Sequence, residues 1–247
     1  MLVHVASGQR FIIEAGDAED EIACIFAETG RLSREEIDAI TAHQVKVFVA
    51  GRGGSVEAAS AMLAAGAAMI KAGGTGVMVD NCGAAHSPRD WMALAGDKKI
   101  GGMYCAFVTV TGGDDELFST GMHCLGFSDA ELPNHPSRNE GGFILHNFLG
   151  YCYQSGATIL DGEAIGGPEG AEFRLRHVPD MRFPAGARFH NPYGPWRLEP
   201  IKMTTEWKRI KEDAQQRPRR VRRYSDDPES AAREKHPGRR EYPPNPA

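Results

Sequence analysis

Gln44–Ala50 reads QVKVFVA, Ser55–Ala72 reads SVEAASAMLAAGAAMIKA, and Thr75–Val79 reads TGVMV. The first run alternates at period two, which marks a strand. The second sets Val56, Ala59, Leu63, Ala67 and Ile70 along one face at helical spacing, with Ser55 at its N-cap. Its many Ala and Gly residues suit close packing on a sheet. Gly73-Gly74 stops the helix, and the third run returns as a strand. A strand–helix–strand unit closed by a right-handed crossover predicts two parallel strands.

Upstream, Leu2–Ala6 and Arg10–Ala15 read as strands around a Ser7-Gly8-Gln9 turn, and Asp17 opens a helix that Gly30 ends. Ser33-Arg34-Glu35-Glu36 is a capping box for the next helix. Downstream, Pro88–Ala95 forms a short helix capped by Ser87. Met103–Thr111 and Glu116–Thr120 read as strands around Gly112-Gly113-Asp114-Asp115. A polar loop with Pro133 and Pro136 follows, and Glu140–Ser155 is an amphipathic helix carrying Phe143, Phe148, Tyr151 and Tyr153. Thr158–Leu160, Glu163–Ile165 and Glu172–His177 read as strands, with Asp161-Gly162 turning between the first two. Pro179–Pro200 reads as a surface wrap and Met203–Gln216 as a last helix. From Arg217 onward apolar residues nearly vanish, and a disordered tail is expected. The predicted fold is α/β (α+β): a mixed sheet with helices mainly on one face in a single domain, residues 1–200. Its halves, 1–100 and 101–200, each hold strands flanking a long helix and read as two similar units.

The 247 residues carry five cysteines at scattered positions, an odd number that suits free thiols in a reducing compartment. The N-terminus shows no signal-peptide pattern, and Ala58–Ile70 is too short and weakly apolar to span a bilayer, so a cytoplasmic protein without a membrane partner is expected. The net charge of −5 divides unevenly. From Lys202 onward thirteen Lys/Arg face eight Asp/Glu, which leaves −10 on the preceding residues. An acidic body repels phosphate chains, so nucleic acid is an expected partner only through the basic tail.

Three constellations are candidates for function. Gly51-Arg52-Gly53-Gly54-Ser55 joins a strand to a helix; its amides and Arg52 suit a phosphate, but it also reads as a plain turn capped by Ser55. Cys82 and His86, with His123 and Cys124, have no second ligand pair at recognisable spacing, so no metal and no cofactor are expected. The segment from Thr120 to Pro133 holds Gly121, His123, Gly126, Asp129 and Glu131. If Asp129–Glu131 is extended, both carboxylates face one side, as acid–base work or ligand binding needs. The same residues also read as a solvated acidic loop. Helix-borne His146 reads as packed or solvated.

Thr120-Gly121-Met122, then Gly126, Asp129 and Glu131, resembles a bacterial family of uncharacterised proteins, a domain of unknown function. Its members carry a T-G-M/L element, a Gly and an acidic pair before a long helix. The resemblance covers Gln44 to His177 and implies no established activity. The departure is Gly126-Phe127-Ser128, where members often carry Gly-Leu-Pro or Phe-Gly-x-Pro.

Two functions follow as expectations. The first is a non-catalytic binding or regulatory protein, an adaptor or protective partner of another protein, with ligand contacts from Thr120, Gly121, Gly126, Asp129, Glu131 and Arg52. The alternative is a small-molecule enzyme working through His123, Asp129 and Glu131, with His86.

Overall fold

The computed structural model describes residues 2–29, 32–97, 100–135 and 137–202. The expected helix Met203–Gln216 and the tail from Arg217 lie outside the described residues. In chain order the elements are β1 (Leu2–Val3), β2 (Arg10–Asp17), α1 (Ile22–Thr29), α2 (Arg34–Thr41), β3 (Val45–Ala50), α3 (Val56–Lys71), β4 (Val77–Val79), β5 (Ala84–His86), α4 (Pro88–Gly96) and α5 (Ile100–Phe107). Then come β6 (Thr109–Gly112), β7 (Glu116–Thr120), β8 (Asp129–Pro133), α6 (Arg138–Ser155), β9 (Ala164–Gly166), β10 (Glu172–His177) and β11 (Pro195–Lys202). The α/β (α+β) class holds, and the main sheet is mixed.

The parallel pairing expected of β3 and β4 does not occur. β3 closes an antiparallel sheet in the order β1-β2-β3, and β4 pairs antiparallel with β5 in a separate two-stranded sheet. Parallel strands are buried on both faces, whereas β3 stays largely exposed, with Val45, Val47 and Phe48 all open to solvent. The helix between them is small-sided because it is gripped twice. Ala61 and Ala65 pack on Phe11 of β2, while Ala59, Leu63 and Ala67 enter the main core. Trp91 crosses α3 so closely that a Cβ on Gly66 would stand 2.6 Å from its Nε1, which donates to the Leu63 carbonyl at 3.1 Å.

The main sheet runs β6-β7-β8-β11-β10-β9. Its parallel pair is β8 with β11, in the register Asp129↔Pro195 and Glu131↔Arg197. Residues 101–200 thus supply a six-stranded sheet, while residues 1–100 hold the three- and two-stranded ones, so the strands are shared unequally between the halves. Five local expectations are also corrected. Met103–Thr111 is mostly helix α5, since a short buried apolar run does not disclose its period. Asp17 ends β2 instead of opening a helix, and α1 starts at Ile22. Thr158–Leu160 is not a strand; Gly162 N–H instead donates to the Leu175 carbonyl beside β9. The polar loop after β7 contains strand β8, in the middle of the sheet, and the wrap ends in β11.

Helix α6, capped by Ser137 and ended by Gly156 in the left-handed region, covers one face of this sheet. Ile144, Leu145, Phe148 and Leu149 meet Leu117, Ala130 and Leu132 there, and Phe173, Leu175 and Leu198 continue the layer. Each of these leucine, isoleucine and phenylalanine side chains contributes roughly 1.5–3 kcal/mol by leaving water. The aromatic row of α6 divides: Phe148 and Tyr153 are buried, Phe143 and Tyr151 exposed. Alternation along β7, β8 and β11 sends Glu116, Phe118, Asp129, Glu131 and Arg197 to the opposite face.

Gly121 turns the chain out of β7 at φ 102°, and a Cβ there would lie 1.9 Å from the Phe107 carbonyl oxygen. Gly121→Ala is therefore expected to lose at least about 2 kcal/mol in urea unfolding, from the left-handed backbone and the clash together. A loss under about 0.5 kcal/mol would contradict this packing.

Candidate functional site

The polar face of the main sheet is roofed by residues 178–194, which have no regular secondary structure. Between roof and sheet lies a cleft of about 390 Å³. Asp129 and Glu131 of β8 both line it, on the same side of the extended strand, as period two requires.

Asp129 is only 4% exposed. Its Oδ1 accepts from the Ser119 hydroxyl at 2.7 Å and from Met122 N–H at 3.3 Å. Its Oδ2 accepts from the Asn191 amide at 2.6 Å. Ser119 in turn accepts from Ala130 N–H at 2.9 Å, and Asn191 also reaches the Phe127 carbonyl at 3.0 Å. A buried carboxylate without such donors would be costly, and charge-assisted bonds of this kind are the stronger class.

Glu131 is met by cations. Its Oε1 accepts from Arg197 Nε at 2.5 Å, and its Oε2 stands 3.5 Å from Arg182 Nη2. Arg182 bonds Glu116 as well, and its guanidinium lies 3.9 Å over the Phe118 ring centre. Phe183 packs on Phe118 at 6.2 Å and on Phe189 at 5.4 Å, so the cleft has an aromatic wall. The roof is organised by Asp180. It accepts from Arg182 and Phe183 N–H on one oxygen and from Asn191 N–H, at 2.9 Å, on the other.

His123 comes near this site without entering it. Its Nδ1 is 3.9 Å from Asp129 Oδ2, both ring nitrogens are buried without a hydrogen-bond partner, and it does not line the cleft. His123 and Cys124 sit in a 3-10 turn, Met122–Leu125. His86 lies elsewhere: its Nε2–H donates to the Ala106 carbonyl at 3.0 Å, its ring stands 5.3 Å from Trp91, and burial lowers its pKa. Thr120 donates to the Cys82 carbonyl at 3.0 Å. Gly121 and Gly126 serve close approach; a Cβ on Gly126, at φ 89°, would lie 2.7 Å from the Gly54 carbonyl oxygen.

Arg52 is exposed and absent from the cleft lining, and its carbonyl accepts from the Gln9 side chain at 3.1 Å. Gly54 N–H donates to the Cys124 carbonyl at 3.2 Å, and Ser55 caps α3, so this loop docks the 3-10 turn. Burial pushes the thiols of Cys82 and Cys124 up to about 11 and about 12, far from the ready thiolate that nucleophilic chemistry uses. Among the described residues no group of three or more His, Cys, Asp or Glu is placed to hold a metal.

Ser119, Asn191, Arg182, Arg197, Glu116 and Phe118 complete the site and were not singled out from the sequence. Glu116 and Phe118 carried a usable signal, since period two sets them on one face of a predicted strand. The others reach Asp129 and Glu131 across gaps that no local pattern spans. No protein-family model matches the chain, and neither a curated protein nor a solved structure matches it.

The two carboxylates differ in what they hold. Asp129→Asn sets an amide nitrogen against donors from Ser119, Met122 or Asn191, and should cost about 2–3 kcal/mol in denaturant melts. Glu131→Gln faces two arginines that keep solvent contact, and should cost about 1 kcal/mol. Equal effects, or none at Asp129, would contradict this division.

Proposed function

We propose that this chain is a non-catalytic binding or regulatory protein, an adaptor or protective partner of another protein, with the cleft beneath residues 178–194 as its recognition site. The observation that carries the reading is the state of the two cleft carboxylates. Asp129 and Glu131 already accept from the chain's own hydroxyl, amide and guanidinium donors, while the cleft beside them stays open. Groups so engaged form a fixed wall; a proton reaches them only by breaking the network that shapes the site.

The volume lies in the range of small ligand sites, roughly 300–1,000 Å³, enough for one or two side chains of a partner. Met181, 87% exposed on the roof, offers an apolar anchor at the mouth. The acid–base alternative rests on the His123–Asp129 pair. Three donors closer to Asp129 than that imidazole favour a positioning role for the carboxylate.

The test compares capture of partners from the native host by the wild-type chain, by Met181→Asp at the cleft mouth, and by Leu160→Asp, an exposed site elsewhere. The expected result is a partner lost by Met181→Asp alone. Retention by Met181→Asp, or equal loss by both variants, would overturn the reading.

A further inference from the structure

Arg182 sits in the cleft as a ligand would. Its guanidinium stands 3.9 Å over the Phe118 ring centre, bonds Glu116, and faces one oxygen of Glu131 while Arg197 holds the other. Four carboxylates line the cleft, those of Glu116, Asp129, Glu131 and Asp180, against the two guanidinium groups of Arg182 and Arg197. Two negative charges are left over beside open volume. That imbalance draws cations in and turns anions away.

The shape of the cradle then selects among cations. A planar group with a fork of donors can stack on a ring and bond a carboxylate at once, whereas an ammonium is a compact point charge. The present occupant is also displaceable. Arg182 is one-third exposed, and it belongs to the irregular roof.

We infer that the cleft is a guanidinium-recognition site and that Arg182 is its built-in competitor. An arriving arginine side chain takes the seat on Phe118 between Glu116 and Glu131, and Arg182 turns out to solvent. This rests on the binding reading above and names the chemistry of its ligand. A seat filled most of the time by Arg182 lowers apparent affinity by the fraction of time that it is free.

Calorimetric titration would use N-acetyl-arginine amide, free L-arginine, and the citrulline, lysine and glutamate analogues of the capped probe. Wild type, Arg182→Ala and Arg182→Gln are compared, with the second variant guarding against a folding defect in the first. Either variant is expected to bind the capped arginine about tenfold more tightly than wild type, as for a seat about one-tenth free. Citrulline, an uncharged near-isostere, and lysine should bind at least about tenfold more weakly than arginine. A preference for the capped over the free amino acid assigns the guanidinium to a polypeptide, and the reverse assigns it to a small molecule. Binding of citrulline or glutamate as tight as arginine would overturn the guanidinium inference and leave the binding cleft standing. Arginine affinity unchanged by both substitutions would overturn the competitor role. Failure of every probe on all three proteins would overturn the inference, while partner capture separately tests the binding reading.

Discussion

A carboxylate removed from water must be met by donors, and Asp129 gathers them from three separate parts of the fold. Ser119 comes from the neighbouring strand, Met122 N–H from the 3-10 turn, and Asn191 from the roof. Leaving that charge unpaired would cost several kcal/mol, a large share of the stability of a domain. The end of β7, the following turn and the roof are therefore held in one arrangement. The glycines at 121 and 126 permit it, because the turn presses against the Phe107 carbonyl on one side and the Gly54 carbonyl on the other.

The two faces of the main sheet divide the work. The face under α6 is apolar and closely packed, and supplies stability through Leu117, Leu132, Leu145, Leu149 and their neighbours. The other face carries charge in a regular array, since Phe118, Glu131 and Arg197 stand in register across three strands. The arginines of its ion pairs retain solvent contact although Glu131 is buried, so these pairs set the field of the cleft more than the stability of the fold. A rigid sheet with a polar face beneath an irregular roof is a common way to build a recognition site.

Helix positions were the most legible part of the sequence. Ser33, Ser55 and Ser87 act as the N-caps that their spacing suggests, and Gly156 ends α6. β2, β3, β4, β7 and β10 were legible singly but their partners were not, and β8 and β11 lay in segments that read as a loop and a wrap. β3 and β4 flank one helix, yet they join different sheets, because α3 is buried on two sides and separates them. The side-by-side placement of Asp129 and Glu131 followed from period two once the segment was extended. The extension itself comes from pairing with β7 and β11, and β11 lies more than sixty residues away in the chain. The donors for Asp129 and Glu131 stayed hidden for the same reason.

The most direct test of the arrangement is hydrogen exchange on Asn191→Ala, a substitution that removes the roof's hold on Asp129 and the Phe127 carbonyl. If that hold fixes the cleft, amides of residues 181–194 should lose protection by at least about tenfold, equivalent to about 1.4 kcal/mol. Amides of α6 should keep theirs. Unchanged protection across the roof, or an equal loss in α6, would show that Asn191 and Asp129 do not govern the site.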